Sequence, residues 1–291
     1  MPLVINTNVS SLSAQRSLTA NTNALARSME KLSSGFRITR SADDAAGLQL
    51  SENLRAQIRG TKAALNNVQD GINVLNIADG SLSTVTSNLQ RMRELAVQAA
   101  NDTYDATQRN AMNEEYDQLE ADINRIFLST EFNGVRLFDA ATSGLTEFNI
   151  QVGPNNTAND TIDLVAEGVP FDTTLNTADV AGNGAADVST GFVNLDNSLN
   201  AGNAIAALDD GIRELNGVRA TIGAITSRLE NAATKLRIDD ENLQASESRM
   251  RNVDVAAESA ELVRNQILQQ ASASVLSQAN QVPSLALSLL G

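Results

Sequence analysis

NAIAALDDGIRELNGVRATIGAITSRLENAATKLRIDDENLQASESRMR, Asn203 to Arg251, is the stretch that decides the fold. Leu208, Leu215, Ile222, Leu229, Leu236, Leu243 and Met250 follow one another at strict seven-residue spacing, and Ile205, Ile212, Val218, Ile225 and Ala232 form a companion row. Two apolar rows at this spacing share one face of an α-helix, and their persistence over six heptads predicts a rod-like coiled coil; the plainer alternative is an amphipathic helix in an ordinary bundle.

A second periodic segment runs from about Ala42 to Ala100. Val68, Leu75, Leu82, Leu89 and Ala96 recur every seven residues, beside a row of Ile58, Leu65 and Ile72 that slips one place to Ala78, Val85, Met92 and Ala99. The slip suits a helix whose period is nearer 3.6 than 3.5. At 1.5 Å per residue such a helix is roughly 85 Å long, the length of a rod rather than of a compact domain. Gly71 and Gly80 weaken it by about 1 kcal/mol each relative to Ala. A shorter helix is expected over Thr107 to Ser129, with a stripe of Met112, Tyr116, Leu119, Ile123 and Ile126 and a capping box of Asp105 with Gln108.

Composition narrows the function. The chain has 291 residues with no Cys, His or Trp, which removes disulfides, thiol nucleophiles, imidazole bases and His-ligated metals. No calcium loop, HExxH or Walker A pattern stands in their place, so no enzyme, metal or cofactor is expected. The formal net charge is −14, which argues against nucleic acid as a partner. The longest strictly apolar run, Ala204 to Leu208, is far below the roughly 20 residues that span a bilayer, so no membrane insertion is expected. The opening residues have no ordinary signal-peptide pattern.

Charge and aromatics are unevenly spread. Leu137 to Ile212 holds eleven acids and no base, and so supplies −11 of the −14. Eight of the nine aromatic residues lie between Tyr104 and Phe192. The flanks must therefore pack through aliphatic side chains and Ala. EFNIQVG (Glu147 to Gly153) and TIDLVAE (Thr161 to Glu167) alternate about a PNNTAND turn, which predicts a β-hairpin. At the ends, residues 5–33 and 253–279 are helical in period but poor in large apolar groups. Alone they bury too little to offset their ordering entropy. The last 27 residues carry no charged side chain, which favours a buried final state.

Several stretches, taken in order, resemble bacterial flagellin. INTNVSSLSAQRSL (Ile5 to Leu18), KLSSGFRITRSADDAAGLQLSENLRAQIRG (Lys31 to Gly60), NVQDGINVLNIADGSL (Asn67 to Leu82), LQRMRELAVQAAN (Leu89 to Asn101) and FNGVRLFD (Phe132 to Asp139) carry the resemblance at one end. RIDDENLQASESRMRNVDVAAESAEL (Arg237 to Leu262) and QANQVPSLALSLLG (Gln278 to Gly291) carry it at the other.

The resemblance implies a mainly α fold, an elongated rod of long antiparallel coiled-coil helices with a small β-hairpin region. Residues 1–42 and 253–291 would be terminal helices of a filament-core layer, disordered in the monomer. Residues 43–167 and 196–252 would form the rod, and 168–195 a short exposed loop with no separate outer domain. The implied function is a subunit that polymerises into the flagellar filament, exported unfolded without a cleaved signal peptide and assembled at the tip, outside the cell. The implied partners are further copies of the chain, a flagellar cap, hook-junction proteins and a secretion chaperone at the C-terminus. The subunit interface is expected at Val9, Leu12, Leu18, Leu25, Met29 and Leu32, and at Val263, Ile267, Val275, Leu285, Leu287 and Leu290. QRMRELAVQ (Gln90 to Gln98) resembles the stretch that host innate immune receptors recognise in responsive flagellins, which makes Gln90, Arg91, Arg93, Glu94, Leu95 and Glu115 a candidate receptor patch. The same charges also suit an ordinary solvated face. The rival readings are a hook–filament junction protein, which shares the terminal pattern, and a cytoplasmic coiled-coil scaffold, which would need no uncharged C-terminus.

Overall fold

A computed structural model of the chain describes residues 7–138, 147–167, 169, 195 and 198–288; the side chains of 198 and 282–288 lie outside that description. Its helices are α1 (Val9–Ser34), α2 (Ala45–Ala99), α3 (Ala106–Ser129), α4 (Ser198–Arg251) and α5 (Val255–Ser288). Short strands β1 (Glu131–Phe132), β2 (Val135–Arg136), β3 (Asn149–Gln151) and β4 (Thr161–Asp163) lie between α3 and α4. The chain divides into two compact units, 1–58 with 241–291 and 59–240, and α2 and α4 each contribute to both.

In the unit of 59–240, α2 and α4 run antiparallel. Arg93 pairs with Asp209 and Asp79 with Arg219, and Gly71 lies beside Leu229, so positions on one helix fall as those on the other rise. The predicted rows form the seam. Val68, Leu75, Leu82, Leu89 and Ala96 are fully buried, as are Leu208, Leu215 and Leu229. The slip in the second row is real: Ala78, Val85, Met92 and Ala99 have no exposure, whereas Leu65 and Ile72 are only partly buried. In α4, Ala233 rather than Ala232 enters the core.

Helix α3 packs Met112, Tyr116, Ile123 and Phe127 into the same core, with Leu119 and Ile126 at its margin. Its predicted capping box is complete. The Asp105 carboxylate accepts from the Gln108 N–H at 2.8 Å, and the Gln108 side-chain oxygen accepts from the Asp105 N–H at 3.1 Å. The guanidinium of Arg109 closes the end of α2 by donating to the carbonyls of Ala99 and Asn101 at 3.0 and 3.1 Å. Aromatics concentrate here as the composition implied: Phe127 meets Phe138 edge to face at 5.6 Å.

The predicted hairpin is present but short. Asn149, Ile150 and Gln151 pair with Asp163, Ile162 and Thr161. The Asp163 carboxylate accepts the N–H groups of Phe148 and Val165, which turns the chain before the expected strands are complete. Ile150 and Ile162 point into the core. Gly71 makes that possible, because a Cβ there would lie 2.3 Å from the Ile150 Cδ1. A second hairpin, β1–β2, turns on Asn133 (φ 52) and Gly134 (φ 78). Asn-Gly suits two successive positive-φ positions, and this second hairpin was not among the expected elements. The expected loop at 168–195 lies outside the described residues except for Val169 and Leu195, both fully buried.

Candidate assembly surface

In the other unit, α1 and α5 form an antiparallel pair. Asn8 caps α1 by accepting the Ser11 N–H and, with its amide nitrogen, reaches the Ala279 carbonyl at 2.8 Å. Gly35 ends the helix in the left-handed conformation (φ 74), its N–H bound to the Lys31 carbonyl. Between these ends the less exposed positions of α1 include Ser11, Ala14, Leu18, Asn21, Leu25, Ser28 and Leu32, and those of α5 include Glu258, Leu262, Asn265, Gln269, Ser272, Leu276 and Ala279. Both sets alternate steps of three and four, the spacing of a coiled-coil seam.

The pair is inverted relative to an ordinary helical hairpin. Its seam is rich in Ser, Asn and Gln, while Val9, Leu12, Met29, Val255, Val263, Ile267, Leu268 and Val275 stand out at 43–67% exposure. The expected interface residues therefore separate into two groups. Leu18, Leu25 and Leu32 lie on the internal seam; Val9, Leu12, Met29, Val263, Ile267 and Val275 face outward. The side chains of Leu285 and Leu287, and all of Leu290, fall outside the described residues. A groove of about 590 Å³ follows the pair, lined by Val9, Ser13, Ala14, Ser17, Leu268 and Val275 among others.

Where α1 gives way to α2 and α4 to α5, the chain is tied by a small clasp. Phe36 and Asn252 form an antiparallel bridge. The Arg37 N–H donates to the Arg251 carbonyl at 2.6 Å, and the Val253 N–H to the Gly35 carbonyl at 3.0 Å. The Arg251 guanidinium stacks 4.6 Å from the Phe36 ring centre and donates to Glu52 at 2.7 Å. The Arg251 hydrogen bond, with a smaller contribution from Arg55, holds the Glu52 carboxyl below its ordinary range. Asp43 is likewise lowered, chiefly by the Thr39 hydroxyl and then by the Arg40 and Thr39 N–H groups, and Ile38, next to Thr39, is buried.

The residues of the candidate receptor patch separate too. Arg91 donates to Glu115 at 2.8 Å and to Glu94 at 3.1 Å, and these anions raise its pKa, Glu115 first. Gln90, Arg91, Glu94 and Glu115 are exposed. Arg93 is half-buried and forks onto Asp209 at 2.6 and 3.2 Å, which raises the arginine and lowers the aspartate. Leu95 is 2% exposed and belongs to the core beneath them.

Reading for large apolar residues missed Asn8, Asn21 and Ser272, which bond across the terminal seam, and Arg251 at the clasp. The first three were accessible through the three-and-four spacing of polar residues in residues 5–33 and 253–279. Arg251 had no local signal, because its partners lie about 200 positions away. Among the described residues no helix is long and apolar enough to cross a membrane, and no group of acidic side chains is placed to hold a metal ion.

Comparison with known proteins places these features in a family. The profile of the bacterial flagellin N-terminal helical region matches residues 5–143, and that of the bacterial flagellin C-terminal helical region matches residues 205–290. A flagellin of Halalkalibacterium halodurans is 41% identical over 99% of this chain and all of its own length. The flagellar filament 33 kDa core protein of Treponema phagedenis is 39% identical over 99% of this chain and all of its own. A solved protein of Vibrio parahaemolyticus, assigned as flagellar hook-associated, covers 72% of this chain and all of its own at a TM-score of 0.55. Its identity is 14%, so that likeness is one of fold.

Proposed function

This chain belongs to the bacterial flagellins, and on that premise we propose that its copies polymerise into the flagellar filament, with the terminal helix pair innermost. The observation that carries the reading is the inverted pair. Eight large apolar side chains on the two paired helices stand exposed, along a stretch whose charges are sparse and whose last 27 residues have none. Each buried side chain of this kind is worth about 1.5–3 kcal/mol relative to exposure, so covering even part of the set drives association strongly. Because the front and back of such a subunit differ, the contacts are head-to-tail and propagate as an open helix. In the free chain the polar seam holds the pair weakly, and the two arms order as they are buried, a folding step coupled to assembly.

On this reading residues 1–42 with 253–291 form the inner layer, and residues 43–167 with 196–252 the next, which helices α2 and α4 enter. The chain is a structural protein with no catalytic role. It is exported unfolded and added at the growing tip outside the cell; a cap, hook-junction proteins and a chaperone for the C-terminal arm are its expected partners. The full-length likeness to filament proteins favours this over the hook–filament junction, whose fold is shared. Gln90, Arg91, Glu94 and Glu115 remain the surface a host immune receptor would meet on the monomer, with Leu95 beneath it. An unchanged receptor response to Arg91→Ala would remove that assignment.

The test is seeded polymerisation of the purified chain, followed by sedimentation and electron microscopy. Long helical filaments are expected from the full chain, and none from chains lacking residues 1–35 or 265–291, each of which should keep a helical 59–240 unit. Normal filaments from either truncation would refute the proposal.

A further inference from the structure

The seam between α1 and α5 is closed by uncharged hydrogen bonds at one rung after another. Asn8 reaches the Ala279 carbonyl at 2.8 Å, the Ser11 hydroxyl donates to the Asn280 side-chain oxygen at 2.6 Å, and the Ser28 hydroxyl accepts from Asn265 at 3.4 Å. At the middle stands Asn21, whose amide nitrogen donates both to the Ser272 hydroxyl at 2.8 Å and to the Leu268 carbonyl at 3.3 Å. Asn21 occupies a seam position three residues after Leu18 and four before Leu25, the place where a coiled coil ordinarily carries an apolar side chain.

Apolar seams of Leu and Ala are permissive. A slip of seven residues brings like against like, and the apolar members of the α1 seam (Ala14, Leu18, Leu25, Leu32) give little reason to prefer one register. A seam amide restricts that freedom: in the observed register Asn21 meets the Ser272 hydroxyl, and the heptad slip that replaces Ser272 by Ala279 leaves it without a side-chain acceptor. Uncharged rungs of this kind are also weak in water, where each group finds a solvent partner, and stronger once water is excluded. The outward apolar face of the same two helices is the surface whose coverage would exclude it.

We propose that Asn21 is the register-setting residue of the terminal helix pair, and that its hydrogen bonds to Ser272 and Leu268 select one alignment of the two chain ends as neighbouring copies cover them. The second half rests on the polymerisation reading above; the first does not. Leucine at this position would strengthen pairing in the free chain while losing the alignment, so affinity and accuracy would move in opposite directions.

The chain has no cysteine, which makes a direct test clean. Ser11→Cys with Asn280→Cys reports the observed register by disulfide formation, and Leu18→Cys with Asn280→Cys reports the register slipped by one heptad, in which Asn21 faces Ala279. The ratio of the two yields is measured with Asn21 present, with Asn21→Leu, and with Ser272→Ala as a milder loss of one acceptor. These measurements are made on seeded filaments and on the soluble chain. With Asn21 the native pair should exceed the slipped pair at least about tenfold in filaments, as expected for leaving a buried amide unpaired. Asn21→Leu should bring the ratio to within about threefold of unity, with Ser272→Ala between, and should raise the helical circular dichroism of the free chain. An unchanged ratio in Asn21→Leu filaments would overturn the proposal and leave the polymerisation reading standing. Failure of the unsubstituted chain to form filaments would instead overturn polymerisation and, with it, the role of coverage; the ratio in the soluble chain would then decide the register claim alone.

Discussion

Two glycines in α2 separate helix propensity from packing. In an exposed helical position, replacing Gly by Ala gains about 1 kcal/mol. Nothing lies within 4 Å of a Cβ built on Gly80, so Gly80→Ala should realise that gain. At Gly71 the same Cβ would stand 2.3 Å from the Ile150 Cδ1 and 3.4 Å from the Leu229 Cδ1. Ile150 is 5% exposed and held in the β3–β4 hairpin, so its methyl has little room to retreat. Overpacking of this kind costs about 1–3 kcal/mol, which cancels or exceeds the propensity gain. Gly71→Ala should therefore lie between neutral and about 2 kcal/mol less stable, while Gly80→Ala is about 1 kcal/mol more stable. At about 2–4 °C per kcal/mol for a unit of this size, thermal unfolding followed at 222 nm resolves the two. Ile150→Val removes the obstructing methyl, and in that background Gly71→Ala should become stabilising, a coupling of about 1 kcal/mol or more. If Gly71→Ala stabilises as much as Gly80→Ala with Ile150 intact, the seating of the hairpin on α2 is wrong.

Other outcomes follow from single side chains. Burial, with smaller contributions from Glu120 and Asp117, pushes the Tyr116 hydroxyl well above its ordinary value. Its folded pKa is raised, so the stability it contributes is complete below the unfolded value of about 10 and is lost as pH rises beyond it. In a Tyr104→Phe chain, absorbance at 295 nm should change only together with loss of helical signal, and reversible ionisation of a folded chain near pH 10 would contradict the burial. Glu52 has the opposite sign. Its folded pKa is depressed, so the clasp should loosen as pH falls below the ordinary carboxylate range, with faster amide exchange at Arg37 and Val253; Glu52→Gln should show that fast exchange already at neutral pH. Arg93→Ala breaks a fork between two side chains that are each 43% exposed, so urea unfolding should show a loss below about 1 kcal/mol. A larger loss would mean that Arg93 shapes the α2–α4 register rather than decorating it.

The long helices were legible because their apolar rows are redundant. Seven residues of one row in α4 and five in α2 each point to the same face, so no single misreading moves the seam. The one-place slip after Ile72 was also readable, and the burial of Ala78, Val85, Met92 and Ala99 follows it. What periodicity could not supply was contacts made across the sequence. Gly71 reads as a weak point until Ile150, nearly 80 positions later, is seen in the space it leaves. The hairpin reads as two strands of seven until the Asp163 carboxylate captures the N–H groups on either side of it.

The terminal arms show a different limit. Listing their large apolar residues gives the correct amount of hydrophobic surface and no direction for it. Val9, Leu12 and Met29 on α1, and Val263, Ile267 and Val275 on α5, look like the seam of a two-helix hairpin, because an isolated hairpin must bury its largest groups inward. The pair turns these outward and closes on Leu18, Leu25 and Leu32 interleaved with Asn21, Ser28, Asn265 and Ser272. That arrangement is poor for a helix pair alone in water and good for one that is to be surrounded, since the polar atoms are satisfied internally before the outer face becomes dry. An internal polar seam is thus the complement of an external apolar face. The two together, more than the count of hydrophobic residues, distinguish a segment built for burial by its own copies from one that merely fails to fold.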